Sequence, residues 1–238
     1  MNRVFRQALG TASAKPWTSP LAISGVSIAD GATVLAWILR APGVSISSVV
    51  CGAQAMTLVS DASTTLDGAA FLLACYKLES AATVTGGAIT ATASASGACA
   101  VMLATAYHRV APAALDDAAV ANDSGTAVVS GEATASTAIA FIAGVVSVNG
   151  PTGDGTIEAG PSYTAGATVG TTGDAATTNA TLAEFYKTVV EAGAYSFTAT
   201  LPVNRAWAAA VAIVKASEGT ALDEVVVLAG RDVEEVLA

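Results

Sequence analysis

At 238 residues the chain has the size of one large all-β domain and is long enough to bury a substantial core. Hydrophobic residues make up 53% and charged residues 12%, with a net charge of −9 and a pI near 4.4, which argues against a broad basic surface for nucleic acid. Mean hydropathy is high at +0.59, but the uncharged stretches 80–108 and 133–153 are broken by Thr, Ser, Asn and Gly. The Thr-Ala-Thr-Ala alternation at 90–93 also has the wrong period for a spanning helix, so no membrane span is expected.

Residues 1–20 read as an extended N-terminal arm. Arg3, Arg6 and Lys15 stand there without an acid, Phe5, Leu9 and Trp17 are its apolar members, and Pro16 and Pro20 favour extended chain. The first ten residues hold basic groups but no apolar h-region, so a secretory signal is not expected. The body, 21–216, reads as strands near 21–29, 33–40, 46–50, 54–59, 69–79, 88–94 and 98–108. Further strands are predicted near 126–130, 137–148, 181–190, 193–201 and 205–216, with Asp30-Gly31 as a hairpin signal. The Gly/Thr/Pro-rich stretch 149–178 reads as a surface excursion able to carry contacts. The acidic tail 217–238 carries Glu218, Asp223, Glu224, Asp232, Glu234 and Glu235 against Arg231; its predicted elements are a last strand at 222–228 and a short helix from Asp232.

Two patterns define the architecture. Phe71-Leu-Leu-Ala-Cys-Tyr-Lys, Ile89-Thr-Ala-Thr-Ala and Cys99-Ala-Val-Met-Leu-Ala recur about 110 positions later as Ala183-Glu-Phe-Tyr-Lys, Phe197-Thr-Ala-Thr-Leu and Trp207-Ala-Ala-Ala-Val-Ala-Ile. Each copy reads as strand, turn, strand, turn, strand. In the second, Tyr195, Phe197, Ala199 and Leu201 alternate with Ser196, Thr198 and Thr200, the period of a half-buried strand. The other pattern is a strand apolar on both faces: Ile139, Phe141 and Val145 on one, Ile142, Val146 and Val148 on the other. Such a strand needs cover on both sides, from a central position in the fold or from a neighbouring subunit. The expected fold is all-β, an antiparallel two-sheet sandwich built from two related halves.

No catalytic constellation stands out. His108 is the chain's single histidine and has no Ser or Cys partner suggested by spacing, so a packing or loop role is expected. Cys51, Cys75 and Cys99 are spaced by 24 residues, unlike any metal-ligand pattern, and read as buried reduced thiols. Asp116, Asp117, Asn122 and Asp123, or Asp154 with Asp174, offer oxygen ligands for calcium, yet they lack EF-hand spacing and serve equally as turn residues. No metal or cofactor is therefore assigned. Trp37 and Trp207 sit within apolar strands and read as core; Trp17 is either an internal latch or an anchor in a neighbour's groove. The residues assigned to partner binding are Arg3, Phe5, Arg6 and Trp17 in the arm, and Leu222, Val226 and Leu228 in the tail.

The segments Val26-Ser-Ile-Ala-Asp-Gly-Ala-Thr-Val-Leu-Ala-Trp-Ile, Val49-Val-Cys-Gly-Ala-Gln-Ala-Met-Thr-Leu-Val and Glu191-Ala-Gly-Ala-Tyr-Ser-Phe-Thr-Ala-Thr-Leu resemble accessory virion proteins of tailed bacteriophages, over about residues 21–216. The resemblance implies a jelly-roll-like or lectin-like sandwich without enzymatic activity, assembled in the host cytoplasm and carried on the virion. It further implies a capsid decoration protein whose partner is the major capsid protein or another virion protein, and a homo-oligomer with a trimer preferred. The alternative it leaves is a carbohydrate-binding module of a fibre or tail, with Tyr163 and the 149–178 stretch as its glycan candidates.

Overall fold

The computed structural model describes residues 5–217, except 42, 67–68, 174 and 176–177, together with 227–228. In chain order the strands are β1 (Phe5–Ala14), β2 (Leu21–Ile28), β3 (Ala32–Arg40), β4 (Ile46–Cys51), β5 (Gln54–Ala55), β6 (Thr57–Leu66), β7 (Ala69–Ala81), β8 (Val84–Ala93) and β9 (Ala100–His108). They continue as β10 (Val110–Ala135), β11 (Ala140–Val148), β12 (Glu158–Ala159), β13 (Thr164–Gly170), β14 (Thr181–Val189), β15 (Gly193–Ala216) and β16 (Val227–Leu228), with one 3-10 turn at Thr152–Asp154. The all-β class is as expected, and the pairing is antiparallel except where β16 joins β1.

The pairing shows a duplication deeper than the sequence repeat. In the first half a large sheet runs β1-β9-β3-β7-β6 and a small one β2-β8-β4-β5. In the second half the large sheet runs β10-β15-β11-β14-β13, while the far ends of β10 and β15, with β12, form the counterpart of the small sheet. The two strands of β10 and the two of β15 are thus the equivalents of β1 with β2 and of β8 with β9. The chain passes between layers at 15–20 and 94–99 in the first half. In the second it bends within continuous strands, at Gly125 (φ +130) on β10 and near Pro202 on β15.

The two large sheets pack face to face, so the expected all-β sandwich is built as a stack of four β layers with three cores. The central core joins Leu35, Trp37, Leu39, Leu103 and Tyr107 to Phe141, Val145, Leu182 and Val214. An outer core lies under each small sheet; Ile38, Met102 and Ile89 mark the first, Ile142, Phe197 and Ile213 the second. Strands β3 and β11 are buried at every residue. The double-sided strand 139–148 therefore finds both covers within its own chain: Phe141 and Val145 face the central core, Ile142 and Val146 the outer one. Strand β1 lies against β13, and β10 against β6, the same contact with the halves exchanged, as an approximate two-fold relation between the halves requires.

Local sequence explains several details. On β2 the buried residues are Leu21 and Ile23, then Val26 and Ile28; the phase slips at Gly25, whose φ of +73 accompanies a register shift against β8. Asp30-Gly31 does make a turn, but it carries the chain from the small sheet to the large one, since β2 pairs with β8 and β3 with β7 and β9. The Tyr-Lys pairs of the repeat fall on opposite faces. Tyr76 packs on an outer core and Tyr186 in the central one, because a one-residue offset inverts a strand's faces. The stretch 149–178 is only partly an excursion, since it contributes β12 and β13 to the sheets.

At Gly144 on β11 an added Cβ would lie 2.3 Å from the Phe197 ring, which stacks on Phe185 at 5.4 Å. Gly144→Ala is expected to destabilise the protein by about 1–3 kcal/mol through overpacking. A urea midpoint unchanged from wild type would show that the ring has room to move.

Candidate functional site

The arm expected at 1–20 is not an arm. Residues Phe5–Ala14 are β1, paired along their length with β9, and Lys15–Pro20 form the corner leading to β2. Arg6 (3% exposed) and Trp17 (0% exposed) are both internal, so neither is available as an external anchor. Trp17 is the internal latch. Its backbone bridges Gly97 in both directions, at 2.9 and 3.0 Å, and its indole belongs to the same buried cluster as Leu21, Ile23 and Val44. The physical reason is that β9, buried at every residue from Ala100 to Tyr107, would otherwise have an open edge, and β1 satisfies its backbone. Phe5 is half-buried, with the Arg109 guanidinium 4.5 Å from its ring centre. Leu228 pairs through its backbone with Gln7. Arg3, Leu222 and Val226 lie outside the described residues.

The densest polar constellation lies on the seam between the halves. Arg6 of β1 donates to Glu184 of β14 in a fully buried ion pair. The second carboxylate oxygen of Glu184 accepts from the Thr105 hydroxyl at 2.9 Å. Arg6 also stacks on Tyr186, 4.5 Å from its ring centre, and stands opposite Tyr107 in the β1–β9 register. Burial works against the charge on Arg6, but Glu184, Tyr107 and Tyr186 together outweigh it and the guanidinium pKa is raised. Burial, with Glu184 close by, drives the Tyr107 hydroxyl well above its ordinary range. Gly166 on β13 makes the space: a Cβ there would lie 2.8 Å from Glu184 and 2.9 Å from Arg6. Sequence reading placed Arg6 outside the fold and missed Glu184, although an isolated acid between Leu182 and Phe185 was a usable signal, since a buried charge requires a partner.

A second cationic stitch follows at the corner. Lys15 Nζ donates to the carbonyl of Gly173 at 2.7 Å and to Asn179 Oδ1 at 2.8 Å. Asn179 is 1% exposed; its amide donates to the carbonyls of Gly173 and Ala175, and its Oδ1 also accepts from the Thr171 hydroxyl at 3.1 Å. Both cations of this segment thus reach across from the first half into the second.

The remaining candidates are occupied by structural contacts. His108 Nε2 lies 2.8 Å from Gln7 Oε1, and burial lowers its pKa. Asp116 accepts from the Ser136 amide and hydroxyl at 2.6 and 2.8 Å and sits 3.4 Å from Lys215; Asp117 accepts from the Thr134 amide, and Asp123 from the amide of Ser124. Asp154 pairs with Arg205 at 2.7 Å. Asp174 lies outside the described residues. Among the described residues no three His, Cys, Asp or Glu side chains gather as a metal site, and no helix is long and apolar enough to cross a membrane. Tyr163 meets Phe197 edge-on at 5.2 Å and carries Lys187 4.4 Å from its ring centre, so its ring is already engaged.

Two measurable consequences follow from these environments. Cys51, Cys75 and Cys99 are buried and unpaired; burial raises all three thiol pKa values, that of Cys99 to about 11. A thiol-disulfide reagent should therefore label none of them in the native protein and all three in denaturant. Rapid labelling before unfolding would contradict this packing. The second consequence is acid sensitivity. Burial opposes the Asp116 carboxylate, but the two Ser136 hydrogen bonds and Lys215 hold its pKa below the usual carboxylate value. A depressed acid contributes stability above its unfolded pKa and loses it as pH falls through the folded one. His108, also depressed, costs stability once pH drops below its ordinary value of 6.5, because the unfolded chain binds that proton more readily. Urea midpoints should fall with pH in both windows, and Asp116→Asn should flatten only the lower one.

Taken together, the fold and the seam define an all-β protein made of two like halves locked by buried polar contacts. No family model, curated protein or solved structure matches the chain.

Proposed function

We propose that this chain is a non-enzymatic structural protein of a tailed-phage virion, most specifically a decoration protein that binds the head lattice through the major capsid protein. The observation that carries the reading is how the interior is used. The buried ionisable groups of the seam, Arg6 and Glu184, tie the two halves into one stiff four-layer body. A body of that kind suits a protein whose task is to bear load on a particle. The connectivity supports the jelly-roll element of the proposal. With β5 left out, the strands of the first half number one to eight; the large sheet then runs 1-8-3-6-5 and the small one 2-7-4.

Homo-oligomerisation, with a trimer preferred, belongs to the same proposal. It rests on the resemblance, because the apolar strands that first suggested a neighbouring subunit are covered by the chain's own second half. The test is to locate the protein on negatively stained particles with a labelled antibody, and to measure its binding to emptied heads. Label over the head surface with saturable binding supports the proposal. Label confined to tails or fibres would sink it.

A further inference from the structure

The contact between Lys15 and Asn179 has the composition of a covalent cross-linking site. Lys15 Nζ lies 2.8 Å from Asn179 Oδ1, and Asn179 is almost completely buried. The amide is held at both ends: its nitrogen donates to the carbonyls of Gly173 and Ala175 at 2.6 and 2.9 Å, and its oxygen accepts from Thr171 Oγ1 at 3.1 Å. The Thr171 oxygen is fixed in turn by the Ala180 amide at 3.0 Å, so its hydroxyl is aimed at Oδ1. A nucleophile, an oriented carbonyl and a donor on the oxygen where charge develops are thus assembled at one place.

We infer that Lys15 and Asn179 form an intramolecular isopeptide bond. The lone pair of the neutral Lys15 amine attacks Asn179 Cγ, and negative charge develops on Oδ1, where the Thr171 hydroxyl receives it. The Cγ–Nδ2 bond then breaks, and the amine proton passes to the departing nitrogen. One ammonia leaves and an Nζ–Cγ amide remains, so neither an oxidant nor a co-reactant is needed. Lysine must lose its proton before it attacks, so the rate rises with pH. The bond would weld the corner after β1 to the segment before β14, at the opposite end of β1 from Arg6, and so join the two halves covalently. The inference does not depend on the proposed virion role.

Intact-mass spectrometry of the full chain, before and after incubation at mildly alkaline pH, tests it. The expected result is a species lighter by one ammonia. Peptides 7–40 and 110–187 should then be recovered from a tryptic digest as one branched product, absent in Lys15→Arg and in Asn179→Ala. A succinimide at Asn149-Gly150 would give the same mass loss but would leave the two peptides separate, and that outcome overturns the inference. So does an unchanged mass after prolonged incubation, or a loss of ammonia that persists in Lys15→Arg.

Discussion

Glu184→Gln is expected to destabilise the protein by about 3–5 kcal/mol, because it leaves the Arg6 guanidinium charged, buried and without its counter-ion. Arg6→Met should cost a similar amount from the other side. The double variant Arg6→Met with Glu184→Met should recover much of the loss, since it removes both charges and fills the space with apolar atoms. Thr105→Val probes the same site more gently. Losing the 2.9 Å bond leaves one carboxylate oxygen short of a donor, at a cost of about 1–3 kcal/mol. A double-mutant cycle read by urea denaturation measures the coupling directly. Single variants within about 1 kcal/mol of wild type, the range of exposed pairs, would mean that water reaches the seam. The partly exposed Arg205–Asp154 pair is the internal control, and Arg205→Ala should fall closer to that small range.

The second large effect is at Trp17. With Trp17→Ala the first outer core loses its indole, and the loss should be about 3–5 kcal/mol, as for other buried aromatic truncations. The change should appear in stability before it appears in any binding measurement, which reverses the expectation for an external anchor. Deletion of residues 1–19 should be more severe still. It removes β1, strips Arg6 from Glu184 and opens the edge of β9, so the truncated chain should fail to fold rather than fold without an anchor. Circular dichroism and size-exclusion chromatography of the truncated chain distinguish these outcomes. A monodisperse, cooperatively melting product would refute this placement of β1.

The same residues show what could be read from the chain alone. The alternation of Tyr195, Phe197, Ala199 and Leu201 against Ser and Thr determined a half-buried strand, and burial follows that alternation. The two apolar faces of 139–148 determined that the strand is covered twice. The recurrence of three strand segments determined that the chain has two related halves. These are local or periodic properties, set by side-chain chemistry at a spacing of two.

Other features were decided only by the tertiary structure. Sequence left open whether a neighbour or the chain itself covers the double-sided strands, because that depends on how the halves stack. It read residues 1–20 as an arm, from the unopposed charges of Arg3, Arg6 and Lys15 and the two prolines; Phe5–Ala14 becomes a strand because β9 needs a partner and Glu184 a counter-charge. The start of β10, from Val110 to Gly125, went unread for a like reason: its Asp, Ala and Asn residues lie half-exposed at an edge and carry no strong pattern. A buried ion pair between residues 178 positions apart leaves no periodic trace. Periodicity records which way a side chain faces, whereas the partner it meets there is fixed by the packing of whole sheets.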